Sequence, residues 1–430
     1  LGTSFLKSTG ITTKETYGVV ALFFVLTIYF ILQPPIYSPD TYSYFNAIIF
    51  RYPGYVIFLR GLEVVFKGYF DVVAVACQLV LGWIAVFTLY RNCSSIFSLI
   101  LWQRLFLVAL LIVPYFPPLS IGNNLASEGI SYPLYLLLMS FSFDMLFIGK
   151  YKRILHFSIV FLTLTLTRGQ FIVVSLILAF ALILKERNQG FKKKHVVYLF
   201  ILLALPVISK IADSTYRKAV HGFFVATPFS YSNALTLPLY VSKASDSSKI
   251  ENKDYRNLFV ASYKTLDSLG LTSRHVDGSA SEKYKPFHEN VPIIFNQNYH
   301  KKGGAYFLKK DSIPDGNILS VEAASKTLLP ILIKNNPTEY RNLYFAGMIH
   351  GFKSVVILIF VVLLVFYSLW ETFRNFTRSN GLLLFSSLLL LSNSMLVAFA
   401  SHSIARYLFY NYFFALLIGI VLFRKITKKI

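Results

Sequence analysis

Cysteine is nearly absent. Cys77 and Cys93 are the only two in 430 residues. Both lie in or beside one apolar run, so the chain has no disulfide framework and no cysteine pattern for a metal. Charge is scarce too. Only 14% of residues are charged against 55% hydrophobic, and the mean hydropathy is +0.57. That much apolar surface exceeds what a soluble globule of this length needs, which excludes an ordinary cytosolic enzyme. Acidic residues are the scarcer sign: 20 Asp and Glu stand against 42 Lys and Arg, a net charge of +22. In a soluble chain this excess would point to nucleic acid. Here the basic residues cluster between apolar runs, so they read as topology signals and nucleic acid drops out as a partner.

What the chain has is long apolar runs. Repeated stretches of roughly 17–25 residues are the signature of membrane-spanning helices. The spacing predicts an all-α polytopic protein of about ten transmembrane helices, at about 17–32, 70–90, 96–115, 127–148, a tract 155–184 split in two, 196–212, 351–370, 381–400 and 404–423. No small-residue cleavage site follows the first run, which therefore reads as a retained helix. The stretch 50–59 is too short and too polar-flanked to cross and reads as an interfacial helix. Residues 214–350 hold most of the acidic residues and much Ser, Asn and Lys, enough for a small soluble domain. The organisation is then a seven-span module with interfacial helices (1–213), an extracytoplasmic domain (214–350) and three C-terminal spans (351–430).

Orientation follows from the basic residues. Lys7 and Lys14, Arg91, the clusters at 150–153 and 185–194, Arg374 and Arg378, and the 424–429 tail fall on one side of ten spans, the cytoplasmic side. Arg51, Arg60 and Arg168 break the pattern. The split of tract 155–184 at Arg168 keeps the later basic loops on the correct face. Asp40, the loop 117–126, Arg168, the soluble domain and the loop 401–406 then share the outer side.

That side collects the chemistry-bearing residues. Asp40 follows the first span in Gln33-Pro34-Pro35-Ile36-Tyr37-Ser38-Pro39-Asp40. Glu128 opens a span, Arg168 sits within apolar sequence, and His402 and Arg406 lie beside the last span. Ionisable groups at membrane depth cost ~2.5–3.5 kcal/mol and usually face a bundle interior or a water-filled cavity. Each has a structural alternative. Asp40 could cap a helix, Glu128 could favour a helix N-terminus, Arg168 could snorkel, His402 could be a loop hydrogen-bond partner, and Arg406 an interfacial anchor. Together they suit sugar transfer from a lipid phosphate. Such transfer needs a carboxylate to take the acceptor hydroxyl proton and cations at the leaving phosphate. Asp40 suits the base, and Glu128 is a second catalytic candidate whose role the sequence leaves open. Arg168, Arg406 and His402 suit donor-phosphate contact, and Tyr42, Tyr44, Tyr52, Tyr55 and Tyr407 suit a substrate groove. No cofactor is required. A divalent ion could assist only where Asp40 and Glu128 approach in space, and no chelating cluster indicates one.

With Pro39-Asp40-Thr41-Tyr42, Tyr52-Pro53-Gly54-Tyr55, Ser127-Glu128, Leu166-Thr167-Arg168 and Arg406-Tyr407-Leu408 in this order, the layout resembles the GT-C glycosyltransferases. The bacterial relatives of protein O-mannosyltransferases and of the lipid A aminoarabinose transferase are the nearest in plan. The resemblance implies a GT-C-like fold and inverting transfer from a polyprenyl-phosphate sugar, with Asp40 as general base. It implies a glycan, lipopolysaccharide or O-antigen acceptor at the outer face of a bacterial inner membrane. Trp83, Trp102 and Trp370 form no Trp-Trp-Asp motif, which argues against en bloc transfer to asparagine.

Two other functions compete. An O-antigen polymerase or ligase would use outer-loop residues such as Arg217, His221, Arg256, Arg274 and His275. A lipid-linked glycan transporter would show inverted repeats and broken midplane helices, and no internal repeat is visible. Within the soluble domain, His288-Glu289 fits no metal motif and reads as surface loop. Lys301, Lys302, Lys309 and Lys310 read as solvated charge.

Overall fold

The computed structural model describes residues 11–187, 190, 192–310 and 313–427. Lys7, Lys428 and Lys429, which enter the orientation argument, lie outside the described residues. The chain is all-helical, with no strand among the described residues. A lone parallel bridge joins Ile36 to Asn124. Among the described residues eight helical runs are long and apolar enough to cross a membrane, as befits a polytopic membrane protein. Two segments counted as spans from the sequence are shorter: Leu101–Tyr115 and Ile154–Thr167. At 1.5 Å rise per residue, 14 residues cover only ~21 Å of a ~30 Å hydrocarbon core.

The first part of the chain builds α1 (Thr13–Ile31), α2 (Pro39–Phe45), α3 (Pro53–Phe66) and α4 (Phe70–Ile96). After these come α5 (Leu101–Ile112), α6 (Glu128–Phe143), α7 (Ile154–Thr167), α8 (Val174–Arg187) and α9 (Lys193–His221). Pro39 and Pro53 start α2 and α3, where a missing N–H costs nothing. Lys67 takes a positive φ of 48° and ends α3, so the interfacial helix and the following span are separate rods in one helical run. The apolar tract 155–184 breaks at Arg168, whose backbone is extended.

The chain divides into two compact units. Unit 1 comprises residues 1–213, 362–390 and 409–430. Its core packs α4 tightly on α6, and includes Leu79, Leu89, Leu136 and Phe143 from them, with Phe161 from α7. Unit 2 comprises residues 214–361 and 391–408. The last three long helices of the chain contribute residues to both units.

Unit 2 is helical throughout. It contains α10 (Lys253–Ser268), α11 (Ala280–Val291), α12 (Gly316–Asn335) and α13 (Pro337–Phe352). Its core gathers Tyr240, Phe259, Phe287, Tyr299, Leu328 and Leu332, all fully buried. Asn336-Pro337 stops α12 and starts α13, since proline cannot continue the first helix but suits the first turn of the second. The chain closes with α14 (Val355–Arg374), α15 (Arg378–Ala400) and α16 (Tyr412–Thr427).

Candidate functional site

Asp40 lies in the first turn of α2 and does not serve as its cap. Ser38 is the N-cap residue, and its backbone N–H donates to Thr41 Oγ1 at 2.9 Å. Asp40 instead meets Arg51: Nη2 donates to Asp40 Oδ1 at 2.5 Å, and Nε donates to Ser43 Oγ at 2.7 Å. Ser43 Oγ in turn donates to the Asp40 carbonyl at 2.6 Å. The guanidinium lies over the Tyr44 ring at 4.7 Å. Both charged side chains keep about a quarter of their surface in solvent (25% for Asp40, 23% for Arg51), so a substrate can reach them.

Glu128 is held close by through backbone pairing between distant segments. Ile36 N–H donates to the Asn123 carbonyl at 2.8 Å, and Leu125 N–H to the Ile36 carbonyl at 3.0 Å. Thr41 Oγ1 donates to the Leu125 carbonyl at 2.8 Å. These bonds tie the Asp40 segment to the loop that delivers Ser127 and Glu128. Glu128 starts α6, and its carboxylate is buried. It accepts from Arg168 Nη1 at 2.5 Å. Arg168 Nε donates to Gln170 Oε1 at 3.0 Å, and its guanidinium lies 5.8 Å over the Tyr410 ring. Tyr410 shares a 2.7 Å hydrogen bond with Ser131. Arg168 is thus a charge pair at a helix break, not a snorkelling side chain.

Tyr44 bridges the two pairs. Its phenol is raised from the ordinary value by burial. Arg51 lowers it, Glu128 and Asp40 raise it, and Ser127 hydrogen-bonds to it. Behind it, Tyr55 meets Tyr44 edge-on at 4.9 Å and donates to Gln78 Oε1 at 2.9 Å. Tyr55 is fully buried, so it supports the site from within. Tyr42 is 73% exposed. Tyr52 packs on Gly169, where a Cβ would strike the phenol. Gly54 approaches the α7 backbone so closely that a Cβ there would sit 3.0 Å from the Leu166 carbonyl oxygen. The glycine therefore lets α3 dock against the Arg168 turn. A separate apolar recess of about 930 Å³ runs between α1 and α5, and its lining includes none of these residues.

Unit 1 thus brings together Asp40, Tyr44, Tyr52, Tyr55, Glu128 and Arg168. Arg51 completes the set. Sequence reasoning noted Arg51 only as a breach of the charge rule; that breach, eleven residues after Asp40, was the available signal.

His402, Arg406 and Tyr407 belong to unit 2. Arg406 and Tyr407 form part of the short helix Ala405–Leu408, where the Tyr407 carbonyl accepts from Asn393 Nδ2 at 3.0 Å. His402 joins His288 of α11 and His350 of α13: ring centroids lie 4.3 Å apart for His288–His350 and 5.1 Å for His288–His402. Burial first, then the neighbouring His288, pushes His350 and His402 each down to about 4 from 6.5. Burial likewise lowers His288. Between about pH 6.5 and pH 4 the unfolded chain therefore binds more protons than the folded one, and stability falls as pH falls through that window. We expect the apparent melting temperature to drop steadily from pH 6.5 to pH 4. His350→Asn with His402→Asn flattens that drop in a thermal scan; an unchanged slope would assign the acid loss to other groups.

The outer-loop residues suggested for a polymerase or ligase are locally engaged. Arg217 is fully buried and donates to Thr227, Arg256 donates to the Ile250 carbonyl at 2.7 Å, and Arg274 and His275 both bind Asp267. His221 pairs with Asp315 at 2.8 Å. Among the described residues no group of three His, Cys, Asp or Glu is arranged to hold a metal ion. Compared with protein-family models, with curated proteins and with solved structures, the chain matches none.

Proposed function

We propose that this chain is an inverting glycosyltransferase of the GT-C type. It moves a sugar from a polyprenyl-phosphate donor to a surface glycan or lipopolysaccharide-type acceptor. The observation that carries the reading is the contact between Asp40 and Arg51. A partly exposed carboxylate and a cation meet directly after the first span, beside an interfacial helix.

Asp40 takes the proton from the acceptor hydroxyl as that oxygen attacks the anomeric carbon. The carbon–phosphate oxygen bond breaks on the opposite face, and the leaving lipid phosphate gathers negative charge. Arg51 is the cation nearest the base and fixes the Asp40 carboxylate on the acceptor side. Glu128 neutralises Arg168 and acts through it and Tyr44, as a positioning residue for α2. A multi-pass fold with Asp40 on the outer face of a bacterial inner membrane completes the proposal. The proposed chemistry rests on unit 1 alone and assigns no role to His402, Arg406 or Tyr407.

Purified protein in detergent, given a panel of polyprenyl-phosphate hexoses and pentoses with a lipopolysaccharide-type acceptor, tests the reading. Release of polyprenyl phosphate coupled to glycosylated acceptor supports it. A panel in which no donor is consumed would sink it.

A further inference from the structure

The histidine cluster of unit 2 is assembled from three separate elements. His288 comes from α11, His350 from the last turn of α13, and His402 from the loop between α15 and the short helix Ala405–Leu408. All three rings are partly exposed. Lys353, which ends α13 with a φ of 59°, puts its Nζ 3.5 Å from His350 Nε2. The Ser401 hydroxyl lies 2.9 Å from His402 Nδ1. Ser403 presents its backbone N–H to the Tyr284 hydroxyl at 3.1 Å, and Tyr284 packs on both His288 and His350. Two buried polar atoms here have no hydrogen-bond partner: His288 Nδ1 and Ser403 Oγ. Buried polar atoms are nearly always paired, so orphans on two elements that touch at Tyr284 and Ser403 point to a missing ligand.

The charges select its sign. The titratable groups facing the cluster are Tyr284 and Glu289 on α11, Lys353 at the end of α13, and the imidazoles themselves. Lys353 acts on both His288 and His350, whereas the single carboxylate, Glu289, acts on His288 alone. A metal cation would have to sit against the Lys353 charge. An oxyanion would meet Lys353, imidazole N–H groups and serine hydroxyls, a donor set drawn from several directions that suits tetrahedral oxygens.

We propose that His288, His350, His402 and Lys353 form a binding site for a phosphate-class oxyanion, and that occupancy draws protons onto the imidazoles. The empty cluster keeps its rings neutral, because burial disfavours the charged form and charging one ring repels the next. A bound dianion removes that repulsion and favours the charged form. Binding and protonation are therefore linked, and affinity rises as pH falls. This inference stands apart from the transferase reading and holds or fails without it. The anion can be a free phosphate or a lipid headgroup, since the loop carrying His402 joins two membrane-length helical runs.

The test uses the full chain in detergent micelles and titrates sulfate by calorimetry at about pH 6 and about pH 8, around the ordinary imidazole range. Sulfate remains a dianion at both, so any pH dependence belongs to the protein. We expect roughly tenfold tighter binding at the lower pH, an effect that needs the bound anion to lift one imidazole from about 4 to near the midpoint of the two assay pH values. Net proton uptake appears as a heat that changes with the buffer's ionisation enthalpy. Inorganic phosphate binds at the same place and competes. His350→Asn with His402→Asn abolishes the proton uptake, while Lys353→Gln weakens binding and leaves the uptake in place. In wild-type protein, sulfate protects His288, His350 and His402 from diethyl pyrocarbonate, read by mass spectrometry, so the proposal is testable even if a variant misfolds. Nanodiscs separate the sources: phosphatidic acid blocks sulfate binding if a headgroup is the occupant, and phosphatidylcholine alone leaves it intact. Binding without pH dependence or proton uptake overturns the proposal. So does full retention in the double histidine variant, absence of protection, or stoichiometric zinc capture with no anion bound.

Discussion

Replacing Asp40 with asparagine should leave a folded protein that binds its donor and hardly transfers sugar, with kcat lower by roughly 10²–10⁴-fold, the usual share of a general base. Asparagine keeps the shape and can still accept a hydrogen bond from Arg51, so α2 and its contacts with Ser43 and Tyr44 are preserved. What it loses is the ability to take a proton. The measurement is initial rate at saturating donor, with donor binding followed separately. A loss confined to kcat assigns Asp40 the proton transfer. A loss confined to donor binding would make Asp40 a holder for Arg51, and Arg51 the group that matters. Full activity in the variant would remove Asp40 from the chemistry.

The second large effect concerns stability. Arg168→Met leaves the Glu128 carboxylate buried without its 2.5 Å partner. Breaking a buried ion pair from one side typically costs ~3–5 kcal/mol, because the remaining charge is neither solvated nor paired. Glu128→Gln should cost less, since the Arg168 side chain is the more exposed of the two (11% against 4%) and also binds Gln170. The double variant Glu128→Leu with Arg168→Met should recover most of the loss, because the pair must first be desolvated to form. Thermal unfolding in detergent ranks the three. If Arg168→Met unfolds like wild type, the pair is not structurally important, and an open role for Arg168 at the donor phosphate regains its place.

Much of this protein was legible in its residues. Apolar run lengths marked the helices, and Arg168-Gly169 marked the break in the 155–184 tract, because a guanidinium and a residue without a side chain cannot continue a lipid-facing helix cheaply. Asn336-Pro337 marked the junction of α12 and α13 by the same local logic. The shortness of α7 was hidden, since apolar composition looks the same whether a helix spans or stops short. Arg51 reads from the sequence only as a topology exception, because its contact with Asp40 lies in the folded chain.

Sequence by itself determined that the chain is helical and membrane-borne. Those properties come from local hydrophobicity and backbone chemistry, which each segment carries on its own. Tertiary structure alone decided the company each charge keeps. It joined Ile36 to Asn124 and so brought Asp40 near Glu128. It buried Tyr55 behind Tyr44, and it drew His288, His350 and His402 from three elements into one cluster. Contacts between residues scores of positions apart arise from packing and hydrogen bonding across the folded chain, and no local pattern encodes them.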